Sequence, residues 1–300
     1  MSYIEVKDVV KVFDDNVAVD HVNFKVNNGE IFGFLGPNGA GKTTTIRMIM
    51  NITMPDSGEI LFDGQLMKES LKDNIGYLPE ERGLYPKMKV QDILEFLGNL
   101  KGMSLNDVRR AIDHWLGRLE IDSWRDKKIE ELSKGMQQKI QFVATILHDP
   151  DMVIFDEPFS GLDPINVDVL RDIILEMKAK NKIVFFSTHV MEKAEQLCDE
   201  IFLINGGKGV LDGTLTEIKE KFSENEIFLE FEGDPGFIKN LSYVSKVDIK
   251  DHTAVIALKD IQSRRQLLTD VTTKLDITSF YPKEKTLHEI FVSQVGGNHA

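Results

Sequence analysis

Residues 36–44 constrain the fold of this chain more than any other stretch. They are Gly-Pro-Asn-Gly-Ala-Gly-Lys-Thr-Thr and satisfy the pattern G-x-x-x-x-G-K-[ST] without departure, a pattern that is informative between a strand and a helix. Residues 31–35 are nearly all apolar and predict a buried parallel strand, and residues 43–50 carry apolar side chains at helical spacing. The stretch therefore predicts an α/β fold with a glycine-rich loop between a strand and a helix.

The chemistry of this loop is that of phosphate binding. Its glycines allow successive backbone N–H groups to converge on phosphate oxygens, and the positive end of the helix dipole adds to the attraction. Lys42 supplies a mobile positive charge for the β- and γ-phosphates, and the Thr43 hydroxyl is a hard oxygen ligand for Mg²⁺. The residues predicted to bind phosphate are Gly36, Pro37, Asn38, Gly39, Ala40, Gly41, Lys42, Thr43 and Thr44.

Composition is that of an ordinary globular protein and excludes several classes. The 300 residues exceed one typical domain, and 42% of them are hydrophobic and 28% charged. A formal net charge of −13 gives no broad cationic surface, so nucleic acid is not expected as a partner. No apolar run approaches the roughly 18 to 20 residues that span a bilayer, and the N-terminus has no signal-peptide pattern, which predicts a cytosolic chain. The single cysteine, Cys198, permits no internal disulfide and is expected in the core.

The regions on both sides of the loop predict its setting. The N-terminal segment alternates apolar and polar residues around turns at 14–16 and 27–29, a pattern of antiparallel strands joined by hairpins. Phe13, just before the first turn, is either a core aromatic or a platform on which adenine stacks. Residues 75–86 predict a strand that runs into a loop rich in glycine and proline, and residues from about 88 to 148 predict a helical insert.

Four further residues are suited to nucleotide chemistry. Asp156 and Glu157 follow the apolar run 152–155 at the carboxyl end of a predicted strand, where ligands sit in open α/β sheets. Asp156 is suited to hold Mg²⁺ through water, and Glu157 to act as general base on an attacking water. Ser133 is a predicted N-cap at a helix start, where an anion can bind. His189 ends the next apolar strand, from which it can donate a hydrogen bond to a γ-phosphate.

The order of these features resembles the nucleotide-binding subunit of ATP-binding cassette (ABC) transporters over residues 3–220. The phosphate loop is followed by Leu-Pro-Glu at 78–80, Leu-Ser-Lys-Gly-Met at 132–136, the strand that ends in Asp156 and Glu157, and His189. P-loop kinases and GTPases share the loop but lack a helical insert with a signature helix before the carboxylate strand. The resemblance implies a P-loop cassette with an antiparallel β subdomain, a parallel-sheet core and the helical insert.

The resemblance also implies roles for individual residues. Two such domains pair head to tail, so that ATP bound at residues 36–44 of one subunit is closed over by Ser133 and Gly135 of the other. Phe13 matches the adenine-stacking aromatic of the family, and His189 its switch histidine. The implied Mg²⁺ ligands are Thr43, Glu80 and Asp156. The implied catalytic residues are Lys42, Glu157 and His189.

The sequence departs from the family pattern in two motifs. Glu80 stands where the family usually has glutamine, which makes this metal-proximal ligand anionic. A carboxylate remains a good Mg²⁺ ligand, but the added negative charge is expected to slow turnover or alter metal preference. The signature is Leu-Ser-Lys-Gly-Met in place of the commoner Leu-Ser-Gly-Gly-Gln. Because Ser133 and Gly135 are retained, closure over ATP is expected to be retained too.

Residues 221–300 predict a second, smaller domain. Strands at 226–232, 243–250, 254–258 and 277–281 alternate with helices in the order β-α-β-β-α-β, which suggests a ferredoxin-like α+β unit. Its sequence carries no catalytic cluster. The expected role is dimer support or packing, and the alternative is regulation of ATPase activity or of partner docking.

Together these features predict an ATP-hydrolysing subunit that drives export by a separate membrane permease. The loop at 79–86 and the C-terminal region resemble bacterial ABC-2-type exporters, including those similar to sodium-extrusion ATPase subunits. The expected partners are a polytopic permease and a second ATP-binding subunit, with a homodimer favoured, at the inner face of the cell membrane. Two alternatives stay open. One is a soluble ABC ATPase of translation or DNA repair, although neither basic linkers nor a coiled-coil insertion is visible; the other is a nucleotide-dependent regulatory module, against which Glu157 argues.

Overall fold

The computed structural model describes residues 3–81, 83–222 and 225–295. The chain divides by its internal contacts into two compact units, residues 1–215 and 216–300. The division falls within the helix Leu215–Lys221, slightly before the boundary expected after residue 220. Each unit contains a hydrophobic cluster of its own.

The first unit is built from a central sheet, an antiparallel sheet and the helices around them. Its strands are β1 (Tyr3–Phe13), β2 (Asn16–Asn27), β3 (Ile31–Leu35), β4 (Ser57–Phe62), β5 (Gln65–Leu66), β6 (Ile75–Leu78), β7 (Met152–Asp156), β8 (Ile183–Thr188), β9 (Glu200–Asn205) and β10 (Lys208–Thr214). Its helices are α1 (Lys42–Ile49), α2 (Val90–Leu100), α3 (Leu105–Arg118), α4 (Lys134–Ile146), α5 (Pro164–Ala179) and α6 (Met191–Leu197), with short 3₁₀ helices at Glu69–Asn74, Asp122–Trp124 and Ile129–Glu131. Helix α7 (Leu215–Lys221) starts at the last residue of this unit, and its other residues belong to the second unit. Within the described ranges, no helix has both the length and the apolar character needed to cross a membrane.

The central sheet has the strand order β10-β9-β3-β8-β7-β6. Its strands are parallel except β10, which is antiparallel to β9. Every residue of β3, β7 and β8 is buried, as expected for parallel strands covered on both faces. Leu35 lies opposite Thr188, and Asp156 lies opposite Ser187. This register brings the carboxyl ends of β3, β7 and β8 to one edge, the edge at which ligands bind in such sheets.

Aromatic side chains join the antiparallel sheet to the central one. The antiparallel sheet has the order β2-β1-β4-β5, and its β1 and β2 confirm the predicted hairpin pattern. Phe24 of β2 contacts Phe32 of β3 and Phe202 of β9, with ring centroids 5.2 Å apart in both pairs. Aromatic pairs of this kind contribute about 0.5–1.5 kcal/mol each beyond the burial of their area. They hold β2 against the strand that precedes the phosphate loop.

Helix α4 packs directly on the strand that carries the predicted carboxylates. Phe142 of α4 stacks on Phe155 of β7, with ring centroids 5.0 Å apart. The helix begins after Ser133, whose hydroxyl accepts a hydrogen bond from the Met136 N–H at 3.3 Å, as its predicted N-cap role requires. The helix that begins after Ser133 is therefore in direct contact with β7 near its carboxyl end.

The second unit is an α+β fold. Its elements are β11 (Glu226–Glu232), β12 (Val244–Lys250), β13 (Thr253–Leu258), α8 (Arg264–Thr272), β14 (Asp276–Pro282) and α9 (Leu287–Val295). The strand order β12-β13-β11-β14, antiparallel throughout, is that of a ferredoxin-like sheet. The first helix of the predicted pattern is the 3₁₀ helix Pro235–Asn240. A connection this short, with proline at its start, favours the tighter helix.

Candidate nucleotide site

The loop after β3 leads directly into the first turn of α1. Gly41 has a φ of +109°, which L side chains rarely adopt, and a Cβ added there would lie 2.5 Å from the Ala18 carbonyl oxygen. The Gly41 carbonyl accepts a helical hydrogen bond from the Thr45 N–H at 2.9 Å. Glycine at this position therefore allows β2 to approach the loop while the helix begins at Lys42. The first N–H groups of a helix have no partner within it and are available to an anion.

Lys42 is folded against its own loop. Its Nζ donates hydrogen bonds to the carbonyl oxygens of Gly36 at 2.7 Å and Pro37 at 3.1 Å, and the residue is buried. Burial lowers the pKa of Lys42, and nearby carboxylates oppose that shift, Glu157 most strongly. Hydrogen bonds to neutral carbonyls are weaker than those between an ammonium and a phosphate. Lys42 can therefore exchange its present partners for a phosphate.

A cavity of about 470 Å³ lies beside the loop, within the size range of small-molecule sites. The predicted site residues that line it are Phe13, Asn38, Gly39, Gly41, Lys42, Thr43, Thr44 and Glu80. Phe13 is 47% exposed, so the interpretation of this residue as a core aromatic is wrong. The other predicted loop residues, Gly36, Pro37 and Ala40, offer carbonyl oxygens to hydrogen bonds and do not line the cavity.

Two segments line the cavity that sequence reasoning did not assign to the site. They are residues 16–18 in β2 and the turn formed by Gly206 and Gly207 between β9 and β10. The Gly207 N–H donates to the Ala40 carbonyl at 3.0 Å, and the Gly207 carbonyl accepts from the Asp20 N–H at 2.8 Å. This turn thus connects β2 to the phosphate loop. Paired glycines are a visible turn signal, but their contact with this loop depends on the order of strands in the sheet.

Asp156 lies at the same edge of the sheet, at the end of β7. Its side chain is 1% exposed, and its Oδ2 is buried without a hydrogen-bond partner in the part of the chain that the structure describes. Burial raises the pKa of Asp156 to about 6, with the carboxylates of Glu80 and Glu157 adding to the rise and Lys42 opposing it. A buried polar atom without a partner is unfavourable unless something binds it. Asp156 therefore offers an open ligand position to a cation or to its bound water.

Glu157 is held by residues at the end of β8. Its Oε2 accepts a hydrogen bond from the Thr188 hydroxyl at 2.9 Å, and its Oε1 accepts one from the His189 backbone N–H at 2.8 Å. His189 Nδ1 also lies 2.5 Å from Oε1. Because an ionised carboxylate only accepts, Nδ1 carries the proton in this pair, and in a neutral ring Nε2 is then an acceptor. In this arrangement His189 holds the Glu157 carboxylate in place. For the His189 ring to donate a hydrogen bond from Nε2 to a phosphate, it must be the imidazolium or the other neutral tautomer.

The backbone of Glu157 has a φ of +51°. This left-handed conformation is uncommon for residues with a side chain and concentrates at functional sites. The turn directs the carboxylate to Thr188 and His189 immediately after the strand ends. The sequence signal that made Glu157 a candidate general base was its position after a buried strand. The hydrogen bond from Thr188 to its carboxylate was not predicted.

Ser133 and Gly135 are not brought into the cavity. Ser133 is exposed, Gly135 is partly exposed, and neither lines the phosphate-loop cavity. Gln138, in the second turn of α4, donates to the Pro158 carbonyl at 3.0 Å. The helix start is therefore an exposed surface that is mechanically connected to the segment after Glu157.

The oxygen donors at this site fit a cation that takes some of its ligands from the protein and the others from a bound phosphate and water. The described residues form no group of three or more His, Cys, Asp or Glu side chains that could hold a metal ion by themselves. The Thr43 hydroxyl and the Glu80 carboxylate line the cavity, and Asp156 has a free buried oxygen. These are the hard oxygen donors that Mg²⁺ prefers, and Mg²⁺ commonly takes its other ligands from water and substrate phosphates.

Family profiles match both units. A profile described as ABC transporter matches residues 19–160. A second profile, described as ATP-binding protein DrrA1-3-like, C-terminal domain, matches residues 213–295. The order of the two matches agrees with the predicted cassette and additional C-terminal region.

Similar proteins extend the match along nearly the whole chain. The uncharacterized ABC transporter ATP-binding protein YhaQ of Bacillus subtilis is 39% identical over 288 residues, covering 96% of this chain and 97% of that protein. The Nod factor export ATP-binding protein I of Rhizobium etli is 30% identical over 270 residues, covering 88% of this chain and 85% of that protein. A solved ATP-binding subunit of an ABC transporter has a TM-score of 0.69 at 31% identity and covers 74% of this chain and 93% of that one. With the phosphate loop and the cassette fold, these matches show that the chain belongs to the family of ABC transporter ATP-binding proteins, which are ATPases coupled to transport.

Proposed function

We propose that this protein is the ATP-hydrolysing subunit of an exporter and drives a separate membrane permease through head-to-tail pairing of two copies. The observation that carries the proposal is the separation of Ser133 and Gly135 from the phosphate-loop cavity. A serine-capped helix start offers groups that bind an anion, but the cavity suited to ATP lies elsewhere in the same unit. In a head-to-tail pair, the Ser133 and Gly135 surface of each copy covers the phosphate-loop cavity of the other copy. Both ATP sites are then completed together.

Within one copy, the cavity supplies the groups that hold ATP. The exposed ring of Phe13 stacks with adenine, and the loop amides together with Lys42 bind the β- and γ-phosphates. Thr43, Glu80 and Asp156 would hold Mg²⁺, the last through water. When bound, Mg²⁺ neutralises charge on the phosphate oxygens.

Glu157 is the proposed general base. Thr188 and His189 fix both of its carboxylate oxygens, so the carboxylate is positioned before substrate arrives and accepts a proton from the attacking water. Hydrolysis divides the γ-phosphate from the nucleotide and so removes the group that joins the two copies. Reopening of the pair then drives the permease.

Export as the direction of transport rests on similarity. The Rhizobium relative is named for Nod factor export and aligns over 88% of this chain. The loop at 79–86 and the C-terminal region resemble ABC-2-type exporters in sequence. Transport of a substrate out of the cell is the activity that these likenesses support, and the permease carries the choice of substrate.

Pairing is tested with Glu157→Gln protein in Mg-ATP. We expect ATP binding to be kept, turnover to fall by at least about 100-fold, and a dimer to appear in sedimentation velocity. Adding Ser133→Glu places a carboxylate against the γ-phosphate and is expected to abolish the dimer while single copies still bind ATP. Adding Ser104→Glu, at the matched N-cap of α3, is the control and is expected to leave the dimer intact. ATP-bound Glu157→Gln protein that stays monomeric would contradict head-to-tail pairing.

The permease is tested by co-purification. Tagged Glu157→Gln protein held in Mg-ATP is recovered from gently solubilised membranes, and the proteins that accompany it are identified by mass spectrometry. A polytopic membrane protein in stoichiometric amount is the expected result. Recovery of ribosomes, nucleic acid or soluble proteins alone would reject the permease as partner.

A further inference from the structure

The backbone that carries Glu80 leaves the central sheet before it reaches the site. β6 pairs with β7 as far as Leu78, which lies opposite Phe155. Glu80 follows just beyond the last paired residue, and its exposed side chain lines the cavity together with Lys42 and Thr43. The position of the Glu80 carboxylate therefore depends on what fixes the path of residues 79–81.

Gln141 of α4 fixes that path from the side. Its Nε2 donates one hydrogen bond to the Pro79 carbonyl at 3.3 Å and another to the Glu81 carbonyl at 3.2 Å. A single amide group thus bridges the two residues that flank Glu80. In the described part of the chain, no other side chain donates a hydrogen bond to a carbonyl of residues 79–81.

The environment of Gln141 indicates that these two hydrogen bonds are the reason for an amide at this position. The side chain is 5% exposed, and its Oε1 is buried without a hydrogen-bond partner among the described residues. A buried amide oxygen without a partner is unfavourable, and an apolar side chain of the same length avoids that penalty. Packing alone therefore favours an apolar residue, and what the glutamine adds is the pair of donated hydrogen bonds.

Helix α4, which carries Gln141, packs closely against β6. A Cβ added at Gly76 in β6 would lie 2.3 Å from the Thr145 carbonyl oxygen, so the helix and the strand that leads to Glu80 are in close contact. The same helix begins at Ser133 and Gly135, the surface proposed to close over ATP on a second copy. Gln141 therefore connects this helix to the Glu80 loop.

We infer that Gln141 is a positioning residue for ATP hydrolysis. Its side-chain amide holds Glu80 at the metal-proximal place in the cavity and connects that place to the helix that carries Ser133 and Gly135. The inference rests on the ligand role of Glu80 in the proposed function. Gln141 acts through Glu80 and does not itself touch the nucleotide.

A double-mutant cycle tests the inference by measuring ATP turnover over a range of Mg²⁺ concentrations. Gln141→Met keeps the length of the side chain and removes both donors. We expect kcat to fall about 5- to 20-fold and the Mg²⁺ concentration at half-maximal turnover to rise, while KM for ATP stays within about twofold. In a Glu80→Ala background, the same substitution is expected to change turnover by less than about twofold, because the group that it positions is gone.

Thr145→Val is the matched control. Its hydroxyl lies on the same helix, one turn further on. It donates to the Gln141 carbonyl at 2.9 Å and to the Tyr77 carbonyl in β6 at 3.4 Å, and so contacts the strand before Glu80 but not the carbonyls of residues 79–81. It is expected to lower the melting temperature by an amount similar to that of Gln141→Met and to leave the Mg²⁺ dependence unchanged. If Gln141→Met does not fold, Gln141→Asn takes its place, since it keeps the amide but is too short to bridge both carbonyls.

Three results would overturn the inference, and they are distinguishable. Equal fold-losses for Gln141→Met with Glu80 present and in the Glu80→Ala background, or no loss in either, would show that Gln141 does not act through Glu80. An unchanged Mg²⁺ dependence in Glu80→Ala alone would reject the proposed ligand role of Glu80, and this inference with it, while the pairing of two copies would still stand on the Ser133 experiment.

Discussion

The carboxylate of Asp156 is 1% exposed, and one of its oxygens has no hydrogen-bond partner among the described residues. Burial raises its pKa from 3.8 to about 6. Between these two values the folded protein keeps a proton that the unfolded chain releases, so stability falls as the pH rises through this window. Above pH 6 the folded state holds a poorly solvated charge. A position suited to a cation is therefore destabilising while no cation is present.

We expect Asp156→Asn to stabilise the nucleotide-free protein and abolish its turnover. The substitution keeps the shape of the side chain and removes the buried charge. In EDTA at pH 7.5 the free energy of unfolding is expected to rise by about 1–3 kcal/mol, and the gain is expected to shrink at pH 5. Urea unfolding at both pH values measures this effect. Asp151→Asn, at an exposed residue just before the same strand, is the control, and a less stable Asp156→Asn protein at pH 7.5 would contradict the argument.

Residues of the candidate site were predictable where they belong to a motif that is contiguous in the sequence. The phosphate loop and the Asp156-Glu157 pair stand in unbroken runs with a recognisable strand before them. Thr188 and Gln141 were not predicted, because their roles depend on partners that are distant in sequence: Thr188 bonds a carboxylate 31 positions away, and Gln141 bonds a carbonyl 62 positions away. Such pairings follow from strand register and helix packing, which no local pattern encodes.

At the scale of elements, the phosphate loop and β2 lie in close contact. Gly39 and Gly41 both have positive φ, +78° and +109°, but their surroundings differ. A Cβ on Gly39 would meet nothing within 4 Å, whereas one on Gly41 would meet the Ala18 carbonyl at 2.5 Å. A comparison of substitutions at these two glycines therefore distinguishes the effect of backbone strain from the effect of the close approach of β2.

We expect Gly41→Ala to be more damaging than Gly39→Ala. Both alanines carry the strain of positive φ, about 1–2 kcal/mol, but only the first also pushes β2 away from the loop. The free energy of unfolding of Gly41→Ala is expected to be lower than that of Gly39→Ala by at least about 1 kcal/mol, and binding of a fluorescent ATP analogue is expected to weaken more. Equal values for both variants would show that the approach of β2 is not tight.

Elements with a strong local pattern were predicted with the correct type. The N-terminal hairpin, the buried strands β3, β7 and β8, and the caps of α3 and α4 by Ser104 and Ser133 are examples. The segment expected as a helix near residue 235 is a 3₁₀ helix, since its length allows little more than a tight turn. The two-residue β5 (Gln65–Leu66) has too few residues for any periodicity to show. The strand order of the central sheet was not predictable, because it depends on non-local crossovers.

At the scale of the whole molecule, each of the two compact units contains a hydrophobic core formed by its own residues. The core of the second unit is formed by residues of its own sheet and helices, among them Leu229, Phe231, Ile256 and Leu267. Residues 216–300 contact one another as a compact unit. A unit with its own core and a sheet covered by helices has the features of an independently folding domain.

We therefore expect a fragment of residues 213–300 to fold alone and to unfold cooperatively. Leu229→Ala, at a fully buried position of β11, is expected to lower its free energy of unfolding by about 2–5 kcal/mol, whereas Leu268→Ala, 40% exposed on α8, is expected to change it by less than about 1 kcal/mol. Calorimetry of the full chain is then expected to show two transitions, of which Leu229→Ala lowers only one. A fragment without a cooperative transition, or a full chain in which Leu229→Ala lowers every transition equally, would mean that the second core forms only with the support of the first unit.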